Sequence, residues 1–208
     1  MTFHIHQETF FPTSVYIYDL KDPTAMNQEL EKNILKWQEE DPKGVSRANC
    51  GGWHSPTTMG NKPEYQRLIA ELFTIMGEVF KKEQLEDSVA LANMWANINP
   101  PKAWNIKHNH ANAFFSGSYY IKTPVNSGKL ELFEPRAGAL LLRPRQNEEN
   151  LSRDYWKSVA FEPRAGRIII FPAWLEHEVK ANESNDNRIS VSFNFIQSMP
   201  IKGAKKIK

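Results

Sequence analysis

The chain has 208 residues, of which 40% are hydrophobic and 24% charged; this is the composition of a globular protein, long enough to bury one core without disulfides or a structural metal. Twenty-six basic residues against 24 acidic ones leave a net charge of +2, which excludes the basic footprint of a dedicated nucleic-acid binder. The lone Cys50 excludes an intramolecular disulfide framework and a multi-cysteine zinc site.

In chain order, the opening MTFHIHQETF lacks the cationic and then apolar pattern of a secretory signal. A helix is expected after Asp22-Pro23-Thr24, where Met26, Leu30, Ile34 and Trp37 form one stripe at three- and four-residue spacing. A second begins near Pro63 and runs through Leu68, Leu72, Ile75, Met76 and Val79 to the charged KKEQ. Between them, residues 39–62 hold Gly44, Gly51, Gly52, Pro56 and Gly60 and read as an irregular surface connection. Within it, Cys50-Gly51-Gly52-Trp53-His54 is expected to be a turn around a buried Trp53, with a lid or substrate loop as the alternative.

From about Ser88 the texture changes to short β-branched and aromatic runs: ALANMWANI, FFSGSYYIKT, KLELF, SVAF, GRIIIF, HEVKA and RISVSFNFI. This predicts a mainly antiparallel β half supported by the preceding helices. The hexapeptide FEPRAG occurs twice, from Phe133 and from Phe161, and reads as two strands that finish in the same Pro-containing turn. Residues 143–157 form a polar insertion, a candidate lid or a solvated excursion. Lys202, Lys205, Lys206 and Lys208 make 199–208 a basic tail. The longest apolar stretches, Ala139 to Leu142 and Ile168 to Trp174, fall far short of the roughly 20 residues of a membrane span. A single domain in the cytoplasm, away from membranes, is the expectation, with residues 1–87 as N-terminal strand and helices and 88–198 as the β core.

Two strands split by parity. Ile189, Val191, Phe193 and Phe195 share one face, and Arg188, Ser190, Ser192 and Asn194 the other. Likewise Ser116, Ser118 and Tyr120 lie opposite Phe115, Tyr119 and Ile121. If the helices cover the apolar faces, the polar faces either line a barrel mouth that holds a polar ligand or form the wet side of an ordinary sheet.

The six histidines are placed unevenly, as His4 and His6, His54, His108 and His110, and His177. Alternate strand positions share a face, so each H-x-H pair can converge on an ion; for His4 and His6 a plain surface role is expected. His177 lies downstream in FPAWLEHEV and is followed by Arg188. A guanidinium on an inward face needs an anion, either a carboxylate ligand or a side chain such as Glu131. Trp95, Asn97, Asn99, Trp104 and Asn105 are candidates for the substrate side, while Glu176 and Glu178 point away from His177 by parity.

The ordered series His108-Asn109-His110, Ser116-Gly117-Ser118-Tyr119-Tyr120, Phe171-Pro172-Ala173-Trp174-Leu175-Glu176-His177 and Arg188-Ile189-Ser190 resembles that of the 2-oxoglutarate- and Fe(II)-dependent oxygenases, in particular a small group marked by H-x-H, S-G-x-Y-Y, F-P-x-W-x-x-H and R-I-S. The likeness spans residues 93–196 and extends loosely to FFPTSVYIYDL. It implies a double-stranded β-helix, or jelly roll, mainly β with flanking α. It further implies Fe(II) on His108, His110 and His177, with His110 standing where such enzymes usually carry an acid; Glu134 or water is the alternative third ligand. Arg188 is then expected on the distal carboxylate of 2-oxoglutarate, assisted by Ser190 and Tyr120 with Ser116 close by, and O2 is the second cosubstrate, with ascorbate as a stimulant. The implied activity is hydroxylation of a small molecule or a peptide or protein residue, prolyl residues being favoured. Two rival readings share the architecture: a cupin-type metal enzyme without an oxoacid, and a non-catalytic jelly-roll binding module. The sequence leaves the oligomeric state open, a homodimer included.

Overall fold

The stripe Met26, Leu30, Ile34 and Trp37 is buried along helix α1 (Thr24–Glu40), and Leu68, Leu72, Ile75, Met76 and Val79 along α2 (Gln66–Lys82). A computed structural model describes residues 5–85, 89–141 and 152–198 of the chain. Pro63 opens a 3-10 turn that leads into α2, where its missing N–H costs nothing, and Lys81 and Lys82 occupy the last turn, where cations favour the helix dipole.

The helices cover one face of a six-stranded sheet. Its order is β1 (Tyr16–Asp19), β9 (Arg167–Pro172), β6 (Phe115–Lys122), β11 (Arg188–Gln197), β4 (Val89–Asn99) and β3 (Trp53–His54). A five-stranded sheet faces it, in the order β2 (Asn49–Cys50), β5 (Trp104–His108), β10 (His177–Val179), β7 (Leu130–Phe133) and β8 (Ser158–Phe161). All strand pairings are antiparallel. Two facing antiparallel sheets with the helices on one outer face make the expected double-stranded β-helix.

The parity split in the sequence is the split between two cores. Ile189, Val191, Phe193 and Phe195 join Phe115, Tyr119 and Ile121 against the helices. Tyr120, Leu130, Leu132, Ile169, Phe171 and Leu175 form a second cluster between the sheets. Strand β9 serves both: Ile168 and Ile170 face the helices, Ile169 and Phe171 the opposite sheet, which is why its sequence is apolar without alternation. Gly117 permits the close packing, because a Cβ there would lie 2.4 Å from the Phe193 ring and 2.7 Å from the Ile169 carbonyl oxygen. One buried polar group ties α1 to β6: Asn27 donates to the Ile121 carbonyl at 3.1 Å and accepts from the Tyr119 hydroxyl.

The segment expected to be an irregular surface connection is built into the fold. Asn49–Cys50 pairs with β5 in one sheet and Trp53–His54 with β4 in the other, so the chain crosses between sheets in two residues. Gly51 does so at φ +71°, and a Cβ on Gly52 would lie 2.9 Å from the Ile98 carbonyl oxygen. Strands of two residues carry no readable period, so the pattern was silent there. Trp53 is buried as expected, edge-on to Trp37, with its indole N–H on the Asp41 carbonyl at 2.8 Å.

The two FEPRAG copies end paired strands, with Leu130 opposite Phe161, but then diverge. The first continues into the short helix α3 (Ala137–Leu141). The second turns back through Gly166 at φ +84°, whose N–H donates to the Tyr120 carbonyl at 2.8 Å and whose missing Cβ leaves room for Pro23. The same hexapeptide thus ends two strands without making the same turn. His4, most of the 143–157 insertion and the basic tail lie outside the described residues.

Candidate active site

Strands β5 and β10 place His108 directly opposite His177. His110 follows just past the end of β5, its backbone N–H fixed to the Ala173 carbonyl at 2.9 Å. The three ring centroids are 4.3 Å (His108 to His177), 5.0 Å (His108 to His110) and 5.1 Å (His110 to His177) apart. One nitrogen from each ring lies within 4.8 Å of the other two, so the set can hold a single metal ion.

The rings are oriented for that task. His108 Nδ1 contacts the Ile106 carbonyl at 2.7 Å, and His177 Nδ1 the Leu175 carbonyl at 2.9 Å. A carbonyl only accepts, so both Nδ1 atoms carry the proton and both Nε2 atoms keep a free lone pair. Burial, with a smaller contribution from the neighbouring imidazoles, lowers the pKa of His177 to about 3 and of His110 to about 4; burial also lowers that of His108. All three are neutral near pH 7, as metal ligands must be. Glu134, the alternative third ligand, instead grips the Arg136 guanidinium with both carboxylate oxygens at 2.8 Å, and the three-imidazole group contains no carboxylate.

Arg188 lines the same cavity and is 1% exposed. Its Nη1 donates to the carbonyls of Ser127 at 2.7 Å and Gly128 at 3.1 Å, and among the described residues no carboxylate pairs with it. Glu131, the protein partner weighed from the sequence, is held by Lys180 at 2.8 Å and by the Ser158 hydroxyl. Burial lowers the Arg188 pKa to about 10, which still leaves it charged at neutral pH. Asn99 lies opposite Arg188 across the β4 to β11 pairing and has a buried side-chain oxygen with no partner. Tyr120 and Ser190, cross-strand neighbours, present hydroxyls on the same wall; burial raises the Tyr120 pKa to about 12, which keeps it a donor. Ser116 does not line the cavity: its hydroxyl donates to Asn194 Oδ1 at 2.5 Å.

The cavity is about 520 Å³, within the range of small-molecule sites. Trp95, Asn97, Asn99 and Asn105 line it, but Trp104 is 42% exposed and lies outside. The reason is an irregularity in β5. His177 pairs with His108 but Val179 with Asn105, so three residues of β5 span two of β10. The extra residue brings Asn105 and His108 into one cavity and leaves Trp104 outside it, against simple alternation. Glu176 and Glu178 are taken up by Lys107 and Lys180, consistent with their outward parity, and His6 is exposed beside Glu8.

The sequence reading missed His54 and Arg47 as wall residues. His54 stacks on Trp95 with centroids 5.4 Å apart and planes 9° from parallel, and Trp95 in turn packs against His110 at 5.5 Å. The Gly-Gly pair preceding Trp53-His54 was the available signal, since it lets the chain cross tightly enough to bury one ring in each direction.

Comparison with known proteins bears on this geometry. Residues 93–194 match the model of the family described as "Putative 2OG-Fe(II) oxygenase". Comparison with curated proteins gives no match. Among solved structures, the carbocyclase SnoK, described as a non-heme alpha ketoglutarate dependent enzyme of nogalamycin biosynthesis, is similar over 89% of this chain and 80% of its own, with a TM-score of 0.66 and 12% identity. A Pseudomonas putida prolyl-4-hydroxylase is similar over 90% of this chain and 94% of its own (TM-score 0.63, 14% identity). HygX from Streptomyces hygroscopicus, solved with nickel, 2-oxoglutarate and hygromycin B, is similar over 90% and 84% (TM-score 0.64, 10% identity). At such identities the structural likeness establishes the fold, and the family match covers the stretch that contains the three histidines and Arg188. Residues 93–194 thus resemble the 2-oxoglutarate- and Fe(II)-dependent oxygenases, and the chain has the fold of solved enzymes of that kind.

Proposed function

We propose that the protein is a dioxygenase that hydroxylates an organic substrate while converting 2-oxoglutarate and O2 to succinate and CO2. The observation that carries the reading is a fully buried guanidinium, without a carboxylate partner among the described residues, in the same cavity as three converging neutral imidazoles. An unpaired buried charge is costly, and an anionic ligand removes that cost. The donor set fits the metal as well: two fixed Nε2 lone pairs and a third imidazole suit a first-row divalent ion and leave coordination positions open.

In this reading His108, His110 and His177 hold Fe(II). Arg188 takes the distal carboxylate of 2-oxoglutarate, with the hydroxyls of Tyr120 and Ser190 as further donors. Iron and 2-oxoglutarate, when bound, supply the oxidising power for an unactivated C–H bond. The side chains bind, orient and exclude water: the i−2 carbonyls fix the His108 and His177 rings, and Phe171, edge-on to His177 at 4.7 Å, keeps that side of the site dry. Among the neighbours in fold are a prolyl hydroxylase in complex with a peptide fragment and HygX with hygromycin B bound, so both a peptide and a small molecule are ligand classes this architecture serves. The order of motifs favours a prolyl or other peptide residue.

Succinate release measured with Fe(II), 2-oxoglutarate and ascorbate tests the proposal; turnover above the metal-free control is expected. Absence of turnover together with absence of 2-oxoglutarate binding by the metal-loaded protein would overturn it. A cupin-type enzyme would bind metal on the same histidines yet show no dependence on the oxoacid.

A further inference from the structure

The cavity wall carries a one-sided charge that the cosubstrate leaves partly unanswered. Among the described residues that line it there is no aspartate and no glutamate, but there are two arginines. Arg188 occupies the buried end. Arg47 stands exposed at the rim, where its backbone is fixed: its N–H donates to Asn49 Oδ1 at 2.7 Å, and the adjacent Ala48 carbonyl accepts from Ile106 N–H at 2.9 Å on β5. No carboxylate among the described residues pairs with the Arg47 guanidinium. Its charge is felt by His54, whose pKa is lowered first by burial and then by Arg47. Several of the other lining residues are polar and neutral. Asn194 donates to Asn93 Oδ1 at 2.7 Å, and Asn97 donates to Ser192 Oγ at 3.1 Å.

A cationic substrate would meet like charge and no counter-ion in this cavity, whereas an anionic one would meet a guanidinium already in position. We propose that the substrate carries a carboxylate, or a group of the same charge and shape, which Arg47 binds at the rim while a neutral hydrogen-bonding portion lies along the asparagine and serine wall toward the three histidines. This rests on the reading in which 2-oxoglutarate occupies Arg188. A planar guanidinium suits a carboxylate in a two-point contact that lysine reproduces only in charge.

The test uses the full chain loaded with Mn(II) and saturated with 2-oxoglutarate, and reads the paramagnetic relaxation of the fluorine signal of three probes: trifluoroacetate, trifluoroacetamide and 3,3,3-trifluoropropylammonium. Trifluoroacetate is expected to be relaxed about fivefold more strongly than either of the others. Arg47→Gln should bring it to the level of the amide, and Arg47→Lys should keep part of the difference. Equal relaxation of acid and amide, or a trifluoroacetate signal unchanged by Arg47→Gln in a protein with unaltered circular dichroism, would overturn the proposal. Failure of the underlying reading has a separate signature: water-proton relaxation by the Mn(II) protein would not change on adding 2-oxoglutarate, and the substrate proposal falls with it. Displacement of trifluoroacetate by N-acetyl amino acids, against displacement by amidated peptides with an internal glutamate, separates a small free acid from an acidic peptide. Displacement by neither would count against the carboxylate chemistry.

Discussion

Replacing Arg188 by alanine removes the buried guanidinium from the cavity while leaving the three histidines in place. Truncating one partner of a buried, hydrogen-bonded charge pair costs about 2–5 kcal/mol, which at about 1.4 kcal/mol per factor of ten is a loss of roughly 30- to 5000-fold in 2-oxoglutarate affinity. Stability should change less. The carbonyls of Ser127 and Gly128 lose their donor, at about 1–3 kcal/mol for each group left buried and unpaired. In the ligand-free protein that loss is offset by removal of a desolvated charge that has no counter-ion among the described residues. Arg188→Lys keeps the charge without the planar fork and should fall between wild type and alanine. Calorimetric titration of 2-oxoglutarate into the Mn(II)-loaded proteins, with circular dichroism to establish that each variant is folded, measures the effect without turnover. A folded Arg188→Ala protein that binds 2-oxoglutarate within about threefold of wild type would show that Arg188 does not hold the cosubstrate, because the charge-assisted contact it removes is worth more than that.

Three further outcomes are expected. His108→Ala and His177→Ala should each abolish stoichiometric uptake of Co(II), followed by its visible absorption, whereas His110→Asp should retain it, since a carboxylate restores an anionic ligand at that position. The metal-free protein should lose stability as the pH falls from about 6.5 toward 4. Above that range the imidazoles are neutral in both states, and within it the unfolded chain takes up protons that folded His110 and His177 resist, at up to about 1.4 kcal/mol per pH unit for each residue. Urea midpoints at pH 7 and pH 5 check this, and a His177→Gln variant should show a shallower fall. Gly117→Ala should destabilise the fold by about 1–3 kcal/mol, read as a lowered thermal midpoint, because the added methyl meets the Phe193 ring and the Ile169 carbonyl.

Much of the site was legible because a β-strand alternates faces without exception until something interrupts it. The alternation in RISVSFNFI assigned Arg188, Ser190, Ser192 and Asn194 to one wall and the apolar residues to the helix-side core, and the structure has both sets there. His108 and His177 were joined by motif order alone, and the strands set them in register. What escaped the sequence escaped for physical reasons. The extra residue in β5 reversed the parity of Trp104 and Asn105, and no composition signal marks such a bulge. His54 rides on a strand too short to have a period and reaches the cavity through a Gly-Gly crossing, and Arg47 lies in the irregular stretch just before β2, where no pattern places it. Ser116 has the right parity for the wall, yet its hydroxyl is captured by Asn194, a cross-strand pairing that only the register reveals. Glu134 shows the same limit, since its partner Arg136 is two residues away and claims the carboxylate locally.

In the proposed site His108, His110 and His177 bind one divalent ion and Arg188 holds the far end of a keto-diacid beside it. A crystal structure grown with Mn(II) and 2-oxoglutarate, with the metal located by its anomalous signal, tests this most directly. A single metal peak is expected, bonded to Nε2 of His108 and of His177 and to an imidazole nitrogen of His110, with one 2-oxoglutarate carboxylate against the Arg188 guanidinium. A metal bound away from these three rings, or a 2-oxoglutarate whose distal carboxylate avoids Arg188, would contradict it.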